Sequence, residues 1–174
     1  LARWRRDRGG AMAVEFALIA PLLLLITVGI FETIFLLSDI QTASEATRRG
    51  ARIALIEDPI VAYNTVAKSN TVTCTSSGSK VSCSSGTVSA EATFTDIVAS
   101  MKEIAPWVTD QNVRVIYAKS GIDTDAKLLT PLITVELTNV TYQPKTTSSF
   151  DIDLKVSLPS FETSQLGTTV VVAN

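Results

Sequence analysis

The chain of 174 residues contains no histidine and only two cysteines. Without histidine there is no Ser-His triad, no Cys-His nucleophile pair and no histidine metal site. Neither G-x-x-x-x-G-K nor G-x-G-x-x-G occurs, so the glycine loops that cradle phosphates are missing too. Aromatic residues are 6% of the chain, too few for a platform on which nucleic-acid bases stack, and the net charge of −2 leaves no basic footprint. Two carboxylate pairs, Asp123/Asp125 and Asp151/Asp153, are left as candidates for acid–base chemistry. The second pair shares the polar face of an alternating segment, where such charges ordinarily serve solvation. These absences point away from an enzyme, a cofactor, a metal and a nucleic-acid partner.

What is there is unevenly placed. Residues 1–10 hold Arg3, Arg5, Arg6 and Arg8 against Asp7, a balance of +3, which leaves −5 on residues 11–174. From Phe16 to Leu37 there are 22 residues with one charge, Glu32. As a helix they would span roughly 33 Å, about one hydrocarbon core. A secretory signal has a shorter apolar region and a small-residue cleavage site after it. A single transmembrane helix, about 14–37, is therefore expected, with a long cleaved signal as the alternative. The arginines put the N-terminus in the cytoplasm and everything after about Ser38 outside. Since the first residue is Leu1, the native N-terminus is expected upstream.

The helix should continue beyond the membrane. Ile40, Ala43, Thr47, Gly50, Ala51 and Ala54 recur at spacings of three and four and form a narrow face of small side chains. Asp39, Glu45, Arg48, Arg49 and Arg52 lie mostly opposite, with Glu45 and Arg49 spaced for an i,i+4 pair. Pro59 should end the helix near Asp58. Ala13 to Ile56 would measure roughly 66 Å, half in lipid and half outside. Pro21 frees the carbonyl of Ala17 and should bend the axis. Two readings of it stand, a neutral kink or a point where the helix unwinds on leaving the membrane.

Residues 69–90 are rich in Ser and Thr. Gly78-Ser79 suits a two-residue type II′ loop, and counting outward from it places Cys74 opposite Cys83 in a close, non-hydrogen-bonded pair. A disulfide there would close a loop of about ten residues, worth roughly 2.5–3 kcal/mol in the chain-entropy treatment. Two free thiols or a metal pair are the alternatives, the latter short of ligands. Residues 90–105 read as a second helix, with Phe94, Ile97, Val98, Met101, Ile104 and Ala105 on its core face and Pro106 closing it.

Beyond that the period becomes two. Asn112–Ala118 alternates with Val113, Val115 and Tyr117 on one face. Pro131–Gln143 puts Ile133, Val135 and Leu137 inward, then slips phase to Val140 and Tyr142, which predicts a bulge near Asn139. Phe150–Leu158 alternates most cleanly, with Phe150, Ile152, Leu154, Val156 and Leu158 inward. TTVVVAN reads as an edge strand or a tail. The fold expected is α+β: a long N-terminal helix, transmembrane half plus exposed half, packed on a small, mostly antiparallel sheet with a second helix. The divisions are a basic leader (1–10), the long helix (11–58) and an extracytoplasmic domain (59–174).

One pattern joins the leader to the helix. An arginine-rich tip, Gly10, an apolar run and Glu15 at the fifth place after the glycine resemble the class III signal of type IV pilins and pseudopilins. RGGAMAVEFALIAPLLLLITVGIFE, followed by A-x-x-A-T-R-x-G-A-R, is most similar to the TadE-like subunits of tight-adherence (Flp) pilus systems. The likeness is dense over 5–56, weaker over VRVIYA and ITVELTNVTYQP, and absent over 65–105. It implies a type IV pilin-like fold and cleavage between Gly10 and Ala11 by a prepilin peptidase. Glu15 with Phe16 becomes the assembly contact. The implied partners are other pilins and pseudopilins, the inner-membrane assembly platform and lipid. The body is larger than the very short major Flp pilins, so a minor pilin or pseudopilin fits better. Such a subunit starts as a single-pass inner-membrane protein and ends in a surface adhesion pilus. Read from residues alone, Glu15 is equally a carboxylate at the cytoplasmic headgroup level, and Glu32 is a marker of the outer membrane face. The competing function is a permanently anchored single-pass protein with an extracytoplasmic binding domain.

Overall fold

A computed structural model describes residues 8–78, 80–122, 127–145 and 155–172. The chain divides into two compact units, Leu1–Ser38 with Gln143–Lys155, and Asp39–Tyr142 with Val156–Asn174. One helix, α1 (Arg8–Ile56, 49 residues), contributes to both. It begins five residues earlier than the expected Ala13, takes in Gly9, Gly10 and Pro21, and ends three residues before Pro59.

In the second unit the small face of α1 is buried. Ala43, Thr47, Gly50, Ala51 and Ala54 are inside as the spacing requires, with Ala46 beside them. Ile40 is half-buried. The predicted Glu45–Arg49 pair does not form. Glu45 reaches Arg48 at 3.9 Å, and the Arg49 guanidinium pairs with Glu103, which follows the second long helix, α3 (Glu91–Lys102). A partner on a packed neighbour outcompetes one on the same exposed helix face, where such pairs contribute only a few tenths of a kcal/mol. Phe94, Ile97, Val98 and Met101 of α3 are buried, as is Ala105 after it, while Ile104 is half-buried.

The helices cover a five-stranded sheet in the order β2-β1-β3-β5-β8. Its strands are β1 (Thr71–Ser76), β2 (Val81–Cys83), β3 (Val113–Lys119), β5 (Pro131–Leu137) and β8 (Phe161–Leu166). All four pairings are antiparallel. Val113, Val115 and Tyr117 of β3 lie opposite Leu137, Val135 and Ile133 of β5, and all six are buried on the helix side. β1 and β2 pair as Cys74 with Cys83, Thr75 with Ser82 and Ser76 with Val81, the predicted register. The cysteines form a disulfide with Cα atoms 4.0 Å apart. Gly78 has a φ of 92°, which suits glycine at the first central turn position, and the Ser77 N–H donates to the Lys80 carbonyl. Ser79 lies outside the described residues.

The phase slip after Leu137 is not a bulge. Leu137 faces Phe161, the Leu158 N–H donates to the Val140 carbonyl, and Thr141 faces Ser157. The register therefore carries through with no inserted residue. Instead Asn139 turns to a φ of 55°, a left-handed conformation that asparagine tolerates, and the strand resumes as β6 (Thr141–Tyr142). Val140 and Tyr142 are thereby buried. The partner of β6 is β7 (Val156–Ser157). Of the expected strand Phe150–Leu158, residues 150–154 lie outside the described residues. Val156, expected inward, is 40% exposed, because a two-residue pairing covers little of it; Leu158 is half-buried. TTVVVAN contributes β9 (Val170–Val171), paired with β4 (Leu128–Leu129).

A short helix not anticipated, α2 (Tyr63–Ser69), packs on β1 and β3. The Tyr63 ring meets Tyr117 edge-on at 6.5 Å, and the Ile60 N–H donates to the Tyr117 hydroxyl at 3.3 Å. Burial pushes the Tyr117 hydroxyl up from 10.0 to about 12, against a lowering contribution from the Ile60 N–H. Since the raised value favours the neutral phenol in the fold, the stabilisation is complete below pH 10 and is lost as pH rises to about 12. Tyr117→Phe should cost roughly 1–3 kcal/mol at neutral pH by leaving the Ile60 N–H without an acceptor. It should also flatten the alkaline decline, read by denaturant melts at successive pH. An unchanged alkaline decline in the variant would show that another group carries it.

Candidate membrane and assembly segment

The first turns of α1 hold the four residues the sequence singles out. The Gly10–Ala11 bond lies in the first helical turn, and Gly10 is exposed, with open space where a side chain would be. Two consecutive glycines each cost about 1 kcal/mol relative to alanine in a helix, so this turn frays more readily than those after it.

Past Ala11 the helix is apolar and bare. Met12, Val14, Phe16, Leu18 and Leu22 to Leu25 are all exposed, Phe16 at 73%, and none of the apolar window is buried. Exposed side chains of this size each forgo about 1.5–3 kcal/mol of burial, so the segment calls for lipid or for other apolar helices around it. Its polar groups are mostly satisfied internally. Thr27 donates to the Leu23 carbonyl at 2.7 Å and Thr33 to the Gly29 carbonyl at 2.9 Å. Such i−4 bonds let hydroxyls sit in hydrocarbon.

The two carboxylates differ. Within the first unit Glu32 accepts the Lys145 backbone N–H at 3.3 Å, and the Lys145 ammonium lies 5.1 Å from the centre of the Phe35 ring. Glu32 is thus a tether for the stretch that begins at Gln143, in addition to standing near the end of the apolar run. No local signal reveals this contact, since its partners are 113 residues apart. Glu15 is exposed and has no hydrogen bond or ion pair among the described residues. With one turn separating it from Ala11, about 6 Å of rise, its carboxylate and Ala11 are near neighbours on one helix.

The outer part of α1 is anchored tightly. A β-carbon on Gly50 would come within 2.8 Å of Met101 Sδ and 3.2 Å of Val135 Cγ1, so this glycine sets the spacing of helix to α3 and to β5 together. Beside it the Thr47 hydroxyl donates to the Ser44 carbonyl at 2.8 Å and lies 3.0 Å from the Thr163 hydroxyl of β8. Because the one proton of Thr47 is committed to Ser44, Thr163 is the donor. Asp123 and Asp125, like Asp151 and Asp153, lie outside the described residues, and among the described residues no cluster of three or more metal-ligating side chains occurs.

Comparison with curated proteins and with solved structures returned no match. Residues 10–52, from Gly10 at the helix start to Arg52 on the packed outer part, match a family model described as TadE-like protein, so over this helix the chain is similar to that family.

Proposed function

We propose that the chain is a minor pilin or pseudopilin of a tight-adherence pilus, with no catalytic role. It is held in the inner membrane with its N-terminus cytoplasmic, cut after Gly10 by a prepilin peptidase, and then built into or onto the filament with other pilins at the assembly platform. The observation that carries this reading is Glu15, a carboxylate among bare apolar side chains with no partner among the described residues. Cleavage would create a new α-amino group on Ala11, largely protonated near neutral pH. A staggered neighbouring helix would bring that amine to Glu15, and register follows, because a wrong stagger leaves the carboxylate bare. The family match over residues 10–52 supports it, since it covers the junction, the acid and the span together.

Processing is the test. Coexpressed with a prepilin peptidase, the chain should yield a mature form beginning at Ala11 by mass spectrometry. Gly10→Val should accumulate the longer precursor, because a β-branched side chain stiffens the backbone at the bond to be cut. A native mature chain that still begins upstream of Ala11 would replace this reading with that of a permanently anchored binding protein.

A further inference from the structure

The second unit offers an open sheet edge beside a cationic groove. Among the described strands β8 ends the five-stranded sheet. The Gly167 N–H donates to the Pro131 carbonyl at 2.8 Å, and Leu132 faces Leu166. Antiparallel alternation then commits the backbone groups of Phe161, Thr163 and Gln165 to β5 and turns those of Glu162, Ser164 and Leu166 away from it. Three consecutive outward residues are a template for an added strand. The strand is held on both faces: on one the Ser164 and Thr134 hydroxyls are 2.7 Å apart, and on the other Thr163 bonds Thr47.

Thr163 and Gln165 also form one wall of a groove of about 640 Å³ whose opposite wall is the outer part of α1. Arg48, Arg49 and Arg52 line it, with Glu45 as the acid among them. Arg49 is paired with Glu103 and Arg48 stands 3.9 Å from Glu45, whereas Arg52 has no partner among the described residues. Ile53, Ile56 and Ile104 add apolar surface, and Ile56 is 81% exposed. A strand added to β8 would project every second side chain into this groove, on the side of Thr163 and Gln165.

We propose that the β8 edge docks an extended segment of a partner protein whose alternate side chains are carboxylates. The backbone of the segment continues the sheet at Glu162, Ser164 and Leu166, and its acids reach Arg48 and Arg52. Backbone pairing would supply affinity and the arginines would choose acidic partners over basic ones. This surface is separate from the Gly10–Phe16 segment and does not depend on processing there.

The test uses the full chain in detergent micelles and a labelled, blocked peptide, Thr-Glu-Thr-Glu-Thr-Glu-Thr, read by fluorescence anisotropy. Saturable binding is expected. The Lys-for-Glu peptide should bind at least about tenfold more weakly, as should the Arg48→Glu/Arg52→Glu double variant, whose side chains are exposed and whose fold should be unchanged by circular dichroism. Of two peptides methylated at every second backbone nitrogen, one in each phase, one should lose binding, since only one phase presents its N–H groups to β8. Ser164→Pro, which removes one outward donor, should weaken binding in the same way. No saturable binding, or equal binding of both methylated peptides, would overturn strand addition. Equal binding of the lysine peptide would overturn the role of the arginines. A chain that dimerises through β8 and is made monomeric by Ser164→Pro would show that the occupant is a second copy, which also overturns the proposal.

Discussion

Glu15→Val should leave the chain in the membrane and remove it from the filament. Insertion should be unchanged or improved, because the change takes a carboxylate out of an exposed apolar run. Assembly should suffer, because the protonated amine of a neighbour's Ala11 would lose its counter-charge. At 4 Å and an effective dielectric of about 20 the attraction is on the order of 4 kcal/mol before desolvation is subtracted. Even if desolvation removes half, the remainder of about 2 kcal/mol is more than a tenfold preference for the paired state. The fraction of chain recovered with sheared filaments, relative to the membrane fraction, should therefore fall at least about tenfold. Glu15→Asp, with the charge kept on a shorter stem, should fall between. Equal recovery of Glu15→Val and the native chain would reduce Glu15 to a marker of the cytoplasmic headgroup level.

Gly50→Leu should lower the stability of the second unit by roughly 2–3 kcal/mol, the cost of forcing extra carbons into a packed seam. The seam has no room: Met101 and Val135 are fully buried, and even a β-carbon would press on both. Met101 is flexible and can give way to one carbon. Gly50→Ala should therefore be nearly neutral, its crowding offset by about 1 kcal/mol of improved helix propensity. Leucine has no such escape and must push the helix off β5 or α3. The loss should appear as a lower thermal midpoint and as faster proteolysis of the second unit. A midpoint for Gly50→Leu equal to that of Gly50→Ala would show that this part of α1 is not seated as described.

The expectations that the structure bears out rest on short-range patterns. The small-residue face of α1, the core face of α3 and the alternation of β3 are each written in spacings of two to four residues, and each is buried apart from the half-buried Ile40 and Ile104. The cysteine pair was legible because a two-residue turn sets the register of both its arms. The strand β8 was not, since FETSQL puts Phe161, Thr163 and Gln165 inward, and two of these are polar. Nor was α2, whose seven residues bury Val66 alone and make too short a run for a helical period to show. At Asn139 the change of phase was visible, but whether an extra residue or a left-handed twist caused it depended on the opposing strand.

The sequence by itself determined the long helix, its bare apolar half with Glu15 and Phe16 near its start, and the hairpin that brings Cys74 to Cys83. These follow from forces acting within a turn or two of helix or across one tight loop, where neighbours in sequence are neighbours in space. Only the tertiary structure decided that Arg49 pairs with Glu103, that Glu32 holds the Lys145 N–H, that Gly50 meets Met101 and Val135, and that β8 closes the described sheet with an open edge beside three arginines. Those contacts join residues tens to more than a hundred positions apart. A charged or polar side chain carries no mark of which distant partner will reach it, and that choice is made by the packing of the elements that bring the two together.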